Sequence, residues 1–418
     1  MTTLIDTAPA MELTPQAIDH LVEALREYHA IYSPLFQRRE PREWAQKYLH
    51  GLLLELPRTS IEPMVLALEG PQVKAVRTMQ LFRSAGTWED EALPHRHWQA
   101  VNQILGEADG VLTLDGSDFL QQGQESVGVK RQYCGEVGKR ANCHAGVDVG
   151  YASRQGSTLL DRRLYVPHEG VEEEAYAARR RQCGVPPDIA CKTKPTLGWE
   201  MIQAVHQAGT VQARWVTCDA AFGRDTTLLD RIDGLGWWYC AAVPHATQVW
   251  RPWPATAVPP WSGQGRTPTR PRLLTGEAQL EEVAQLAAAL PADRGTRQTI
   301  KEGSTGPRVA RFATLRVIAV RQGLPGPAVW LVRRRNELTG ELKTYLRHAV
   351  ADIPLTTLVR LSGMRWPIET CFEDGKQSLG MGDDEVRGWR GWQHHMTLCM
   401  LAHFLALITA SATFGHSE

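Results

Sequence analysis

A mixed α/β (α+β) protein is predicted by three changes of pattern along the chain. Residues from about 12 to 105 place apolar side chains at helical spacing, and from residue 110 turn-bounded apolar runs of strand length take over. Between Pro244 and Pro354 a Pro- and Trp-rich stretch leads into further strand-like runs, after which helical patterns return. These changes divide the chain into a helical N-terminal domain at 1–106, a first core segment at 107–243, a β-rich insertion at 244–354 and C-terminal core helices at 355–418.

The N-terminal part reads as short amphipathic helices punctuated by Gly and Pro. Ile61 to Gly70 and Val73 to Ala85, joined by a Gly-Pro turn, suit a helix-turn-helix presenting Lys74, Arg77 and Arg83 to a DNA groove, or equally a plain helical hairpin. Then comes GVLTLDG, an apolar strand running into Asp115. ANCHAGVDVGYAS and STLLDRRLYVP follow as two further strands, an antiparallel start to a sheet. Thr196 to Ala208 reads as a helix, and ARWVTCDAAFGRD repeats the motif of a short apolar strand ending in an acid, Asp219. A helix from Thr226 and a strand ending at Val243 complete this segment. In the insertion, Leu280 to Leu290 reads as a helix, while RVARFATLRVIAVR, PAVWLVRRRN and LKTYLRHAV read as strands.

At 418 residues, two or three domains are expected. The 43% apolar and 22% charged content is that of a soluble globular protein. Lys plus Arg equals Asp plus Glu at 46 each, which weighs mildly against a nucleic-acid binder unless basic stripes are offset elsewhere. Eight cysteines without a C-x-x-C pair fail the zinc templates and point to reduced thiols in a cytoplasmic protein. The stretch MTTLIDTAPAMELTP has neither a basic n-region nor an apolar h-region, so export is not expected. Met396 to Phe414 lacks formal charge over a length near that of a membrane span, but His403, its Ser and Thr residues and the absence of a basic flank make it a buried core helix.

The chemistry-bearing stretch is LSGMRWPIETCFEDGKQSLG. Pro367 suits the first turn of a helix, and Arg365, Glu369, Phe372 and Lys376 then share one face. Two readings stand for that face: a solvated run of i,i+4 ion pairs, or a metal-binding carboxylate flanked by phosphate-holding cations. Asp115 and Asp219, at strand ends, are either turn residues or catalytic acids held by the ladder at a cleft. Convergence of all three acids would give the hard oxygen ligands that a pair of magnesium ions requires. Lys130, Arg131, Lys139 and Arg140, with glycines among them, suit close approach to a DNA backbone or form a solvated hairpin. Arg333 and Arg334 could track DNA, and Trp250, Trp253 and Trp261 pack a small core or stack on a base.

Three blocks carry a family resemblance: LDGSDFLQQGQESVGVKRQYCGEVGKRANCHAGVDVGYAS, WVTCDAAFGRD, and RWPIETCFEDGKQSLGMGDDEVRGWRGWQHHMTLCMLAHFLAL. The chain resembles the DDE transposases of bacterial insertion sequences, in the insertion-sequence-four superfamily and its insertion-sequence-seven-hundred-one branch. The R-x3-E-x6-K pattern fits Arg365, Glu369 and Lys376. The resemblance implies an RNase H-like core interrupted by the β insertion, with Asp115, Asp219 and Glu369 as the metal-binding catalytic triad. It implies Mg2+ as cofactor, two ions with Mn2+ as a substitute. It further implies cleavage of double-stranded DNA at element ends, joining of the 3′-hydroxyls to target DNA, and a homodimer when ends are paired. The location implied is the cytoplasm, on the nucleoid when DNA-bound, with no membrane. A retired DNA-binding protein and an RNase H-like nuclease without strand transfer are the alternatives. Ser362 stands where the family has Tyr, Gly116 where it has an acid or small polar residue, and His394 at a basic position.

Overall fold

A computed structural model describes residues 15–86, 88, 91–167, 174–274, 276, 279–291, 295–301, 308–383 and 385–414. Its helices are α1 Pro15–Tyr32, α2 Arg39–Leu53, α3 Ile61–Glu69, α4 Val73–Ala85, α5 Ala92–Leu105, α6 Glu174–Gln182, α7 Lys194–Ala208, α8 Ala220–Gly223, α9 Thr226–Gly234, α10 Val283–Ala289, α11 Leu355–Leu361, α12 Trp366–Ser378 and α13 Trp389–Phe414. Its strands are β1 Val111–Leu120, β2 Lys130–Cys134, β3 Lys139–Ala152, β4 Ser157–Leu164, β5 Trp215–Cys218, β6 Trp238–Ala242, β7 Gln248–Trp250, β8 Thr256–Ala257, β9 Arg272–Leu273, β10 Leu280–Glu282, β11 Thr296–Lys301, β12 Arg308–Arg321, β13 Leu324–Asn336 and β14 Leu342–His348.

The chain forms two compact units. One comprises the described residues up to His97, Gln182–Val185 and those from Glu373 onward. It is helical, and α13 is its axis. Met396, Leu398, Cys399, Met400, Leu401, Ala402, Phe404 and Leu405 are all buried, so this helix is apolar nearly all round because protein surrounds it. Tyr28 donates to the carbonyl of Leu401, and the Tyr48 hydroxyl lies 2.9 Å from His395 Nδ1, tying α1 and α2 to it. In α4, Ala75, Met79 and Phe82 are buried while Lys74 and Arg77 are exposed. Among the described residues no helix is long and apolar enough to cross a membrane.

The other unit, Trp98–Arg181 with Pro186–Phe372, holds the sheet. Among the described residues twelve strands join in one mixed sheet, in the order β10-β7-β12-β13-β14-β6-β5-β1-β3-β2, with β11 beside β12 and β4 beside β3. Strands β1, β5 and β6 are parallel, and the others pair antiparallel. The strands of 244–354 therefore extend the sheet that Asp115 and Asp219 belong to; only β8 and β9 pair apart from it. The segment expected as one helix from Leu280 opens as strand β10, paired to β7, before α10 begins at Val283. Trp250 is buried, whereas Trp253 and Trp261 are 60% and 55% exposed.

Side-chain alternation gives the sheet two faces. On one, Val111, Val332 and Tyr345 pack beneath Leu358 and Leu361 of α11. On the other, Leu114 meets Gly198 of α7, where a Cβ would stand 2.7 Å from the leucine methyls. Helix α7 is well bounded: Thr193 caps its N-terminus through the amide of Thr196, and Gly209 closes it in the left-handed conformation at φ 63°.

Gly223 ends α8 directly against β6. A Cβ there would collide with the carbonyl oxygen of Ala242 and lie 3.2 Å from the Ala241 Cβ. Backbone cannot yield as a side chain can, so Gly223→Ala is expected to destabilise the protein by about 1–3 kcal/mol, measured as a lowered denaturant midpoint. An unchanged midpoint would show that α8 can lift from β6 at no cost.

Candidate functional site

Parallel pairing fixes the first two acids. Leu114 is in register with Cys218, so Asp115 and Asp219 each come next after a paired residue, where the parallel pairing stops. Strand β5 ends at Cys218, whereas β1 continues through Asp115 to Leu120 against β3, so Asp115 lies within a strand and not at the strand end expected from GVLTLDG. Asp219 then turns the chain, its Oδ1 accepting from the amides of Ala221 at 2.9 Å and Phe222 at 3.1 Å as the N-cap of α8. Asp115 Oδ1 accepts from the Gly116 amide at 2.8 Å.

The third acid arrives on α12. Thr113 Oγ1 donates to the carbonyl of Met364 at 3.3 Å, and Ile368 is buried over Gly150, where a Cβ would come within 3.2 Å of its side chain. Thr113 and Gly150 are cross-strand partners, so the helix start is seated on the face that carries Asp115, and Glu369 follows Ile368. Arg365 joins the acids: Nη1 donates to Asp115 Oδ2 at 2.7 Å and Nη2 donates to Glu369 Oε1. Burial opposes a charge on Arg365, but the fields of Asp115, Glu369 and Asp219 outweigh it and hold its pKa above the usual value. Burial pushes Asp115 up to about 6 against the pull of Arg365, and the charges of Asp219 and Glu369 add to the rise.

These carboxylates suit a hard divalent cation in kind, and a positive group already stands among them. Among the described residues no three His, Cys, Asp or Glu side chains are drawn into one ligand set. The guanidinium bridging Asp115 and Glu369 engages one oxygen of each and supplies the countercharge that an ion would otherwise bring.

Asp219, Arg365 and Glu369 line a cleft of about 830 Å³, together with Trp366, Ser362, His245, Arg334 and Lys343. Ser362, buried, accepts from the guanidinium of Arg347. The basic residues singled out in the sequence fall into separate places. Arg334 lines the cleft, but its neighbour Arg333 is buried and donates to the carbonyls of Ala287, Leu290 and Pro291, closing the end of α10, so it offers nothing to a DNA surface. Arg131, Lys139 and Arg140 are exposed on the β2–β3 hairpin, with Lys130 half-buried beside them. Lys376, half-buried in the last turn of α12, belongs to the helical unit.

One acid of the site escaped the sequence reading. Asp148 stands directly opposite Asp115 on β3, buried at 1% exposure. Its Oδ2 accepts from Ser117 Oγ at 2.5 Å, and its Oδ1 has no hydrogen-bond partner among the described residues. The signal was there in GVDVGY, an acid at an inward position of an otherwise apolar strand.

Burial pushes Asp148 up to about 7 from an ordinary 3.8, with Asp115 and Asp161 adding to the rise and Ser117 and Arg162 opposing it. An acid shifted upward on folding contributes most below its unfolded pKa, and stability is lost as pH climbs through the folded value. Asp148→Asn, which removes the charge and keeps the shape, is therefore expected to gain on the wild type between pH 5 and pH 8, by on the order of a few kcal/mol at the upper end. Urea melts at the two pH values measure the gain; a pH-independent difference would contradict it.

No curated protein matches the chain. Among solved structures, the NurA nuclease from Sulfolobus solfataricus overlays on 68% of this chain and 85% of its own, with 10% identity and a TM-score of 0.29, a likeness too slight to argue from. A family model described as "DDE superfamily endonuclease" matches residues 32–307, a span that includes Asp115 and Asp219. The chain belongs to that family, the DDE superfamily endonucleases.

Proposed function

We propose that this protein is a DNA transposase that cuts phosphodiester bonds at the ends of an insertion sequence and joins the 3′-hydroxyls to target DNA. The observation that carries the reading is the gathering of Asp115, Asp219 and Glu369 about Arg365, the first two where the parallel pairing of β1 and β5 stops and the third in the first turn of α12. In it, residues 107–243 and 355–418 make an RNase H-like core, 244–354 is inserted into that core, and 1–106 binds DNA. The working form is a homodimer pairing two ends on the nucleoid. The resemblance to the insertion-sequence-four superfamily and its insertion-sequence-seven-hundred-one branch supports these finer points.

Asp115, Asp219 and Glu369 would hold Mg2+, which when bound supplies a Lewis acid for the phosphoryl oxygens and raises the acidity of an attacking water. The chain's own groups do the rest. The Gly116 amide holds the Asp115 carboxylate against rotation, and the α8 amides hold Asp219, so two of the ligands need little reorganisation. Arg365 and an ion beside the same two carboxylates would repel each other. With an ion held there, the acids would therefore hold the guanidinium, which already lines the cleft, less strongly and leave it for a backbone phosphate.

The test uses purified protein, Mg2+, DNA carrying the element's ends and a target plasmid. Joined products are expected; cleavage without joining would leave an endonuclease, and neither would remove the reading. Asp115→Asn, Asp219→Asn and Glu369→Gln are each expected to slow cleavage about a hundred- to ten-thousand-fold, the equivalent of several kcal/mol, with DNA binding retained in a gel-shift assay. Arg365→Gln is expected to tighten Mn2+ binding to the DNA-free protein, followed by electron paramagnetic resonance, because it withdraws the competing cation. Equal affinity in the variant and the wild type would show that Arg365 and the ion do not compete.

A further inference from the structure

Beyond the acids, the cleft holds an unusual pair. Arg334 of β13 and Lys343 of β14 are direct cross-strand partners, so their side chains leave the same face of the sheet side by side. Both line the cleft that contains Asp219 and Glu369. Like charges placed opposite on a ladder destabilise it. Compensation is slight: Lys343 Nζ lies 3.6 Å from Glu341 Oε1, with both side chains about half exposed, and a pair so solvated is worth little. Arg334 has no carboxylate partner among the described residues. Neighbouring Arg333, by contrast, has every reason to be where it is, since it closes α10 from the opposite face. A sheet that sets two cations together in a cleft and leaves one without an acid is built to receive an anion there.

We propose that Arg334 and Lys343 form a phosphate clamp for the DNA strand that enters the acidic end of the cleft; this rests on the DNA-cutting reading above and adds the path of its substrate. The sheet order sets the spacing. From β5, which delivers Asp219, the strands run β6, β14, β13. At about 4.8 Å per strand, Lys343 lies roughly 10 Å and Arg334 roughly 14 Å across the sheet from β5. Both also lie two residues beyond the level of Asp219, which runs through Ala242 to Tyr345, so the clamp sits a few phosphates away along one strand. A cleft of about 830 Å³ is also far larger than a free phosphate ion requires, and suits a polymer lying along it.

The experiment measures binding of a duplex carrying the element's end by fluorescence anisotropy across a salt series, with Ca2+ in place of Mg2+ so that DNA is held without being cut. Arg334→Gln and Lys343→Gln are each expected to reduce the slope of log affinity against log salt by about one, and the double variant by about two. Neutral methylphosphonate links scanned over about the first five nucleotides from the scissile bond are expected, at one or more positions, to weaken the wild type and leave the double variant unchanged. Arg334→Gln should melt no lower than wild type, since it relieves a repulsion. An unaltered slope in the double variant, equal methylphosphonate sensitivity, or a lower melting temperature for Arg334→Gln overturns the clamp. If the wild type binds and cuts DNA while the double variant matches it, only the clamp falls; if the wild type binds no DNA, the DNA-cutting reading falls with it.

Discussion

The register between β1 and β5 is the constraint from which the rest of the site follows. Their parallel pairing stops at Leu114 beside Cys218 and so places two carboxylates side by side, Asp115 within β1 and Asp219 just past the end of β5. A slip of a single residue would send Asp115 to the other face, among the leucine and glycine contacts beneath α7, and bury an acid in apolar surroundings. The penalty for that slip is one reason the register is well specified. The same pairing sets where α8 can begin, and hence why Gly223 must be a glycine against β6.

Charge balance is the second layer. Asp115 and Asp148 face each other across a ladder, with Asp219 and Glu369 close enough to act on Asp115, so the region would repel itself without a cation. Arg365 supplies that cation in the structure, and it is held by burial as much as by its partners. Because it is part of α12's approach to the sheet, the helix is positioned partly by the acids it serves. Asp148 is different in kind: it has a hydroxyl for one oxygen and nothing for the other, a group whose ionisation costs stability.

Much of this was legible in the residues. The apolar run ending in Asp219 marked a strand end and Pro367 a helix start, while the run into Asp115 marked a strand that continues five residues further, to Leu120. What periodicity cannot give is which strands become neighbours. The insertion's runs read as strands in isolation, but nothing local tells β14 to pair with β6 and carry the sheet onward. Nor does local pattern separate Arg333 from Arg334 in an uninterrupted arginine run. Alternation says only that one faces each way; it takes the position of α10 to decide which is tied to carbonyls and which reaches the cleft. Asp148 was hidden for a related reason, since its partner is set by register and not by sequence distance.

The cleft thus has two ends of opposite character on one sheet face. Asp219 and Glu369 outnumber Arg365 at one end, while Arg334 and Lys343 outnumber Glu341 at the other. A net-neutral chain conceals this, because composition averages over both ends. Such a gradient orients an anionic polymer: phosphates are drawn to the basic end and repelled from the acidic end until a cation other than Arg365 takes the carboxylates. On the proposed reading Arg365 would then change sides in the electrostatic sense, from neutralising acids to attracting phosphate. On the proposed reading, strand entry and ion loading are favourable together and unfavourable apart, because each supplies the countercharge that the other leaves missing.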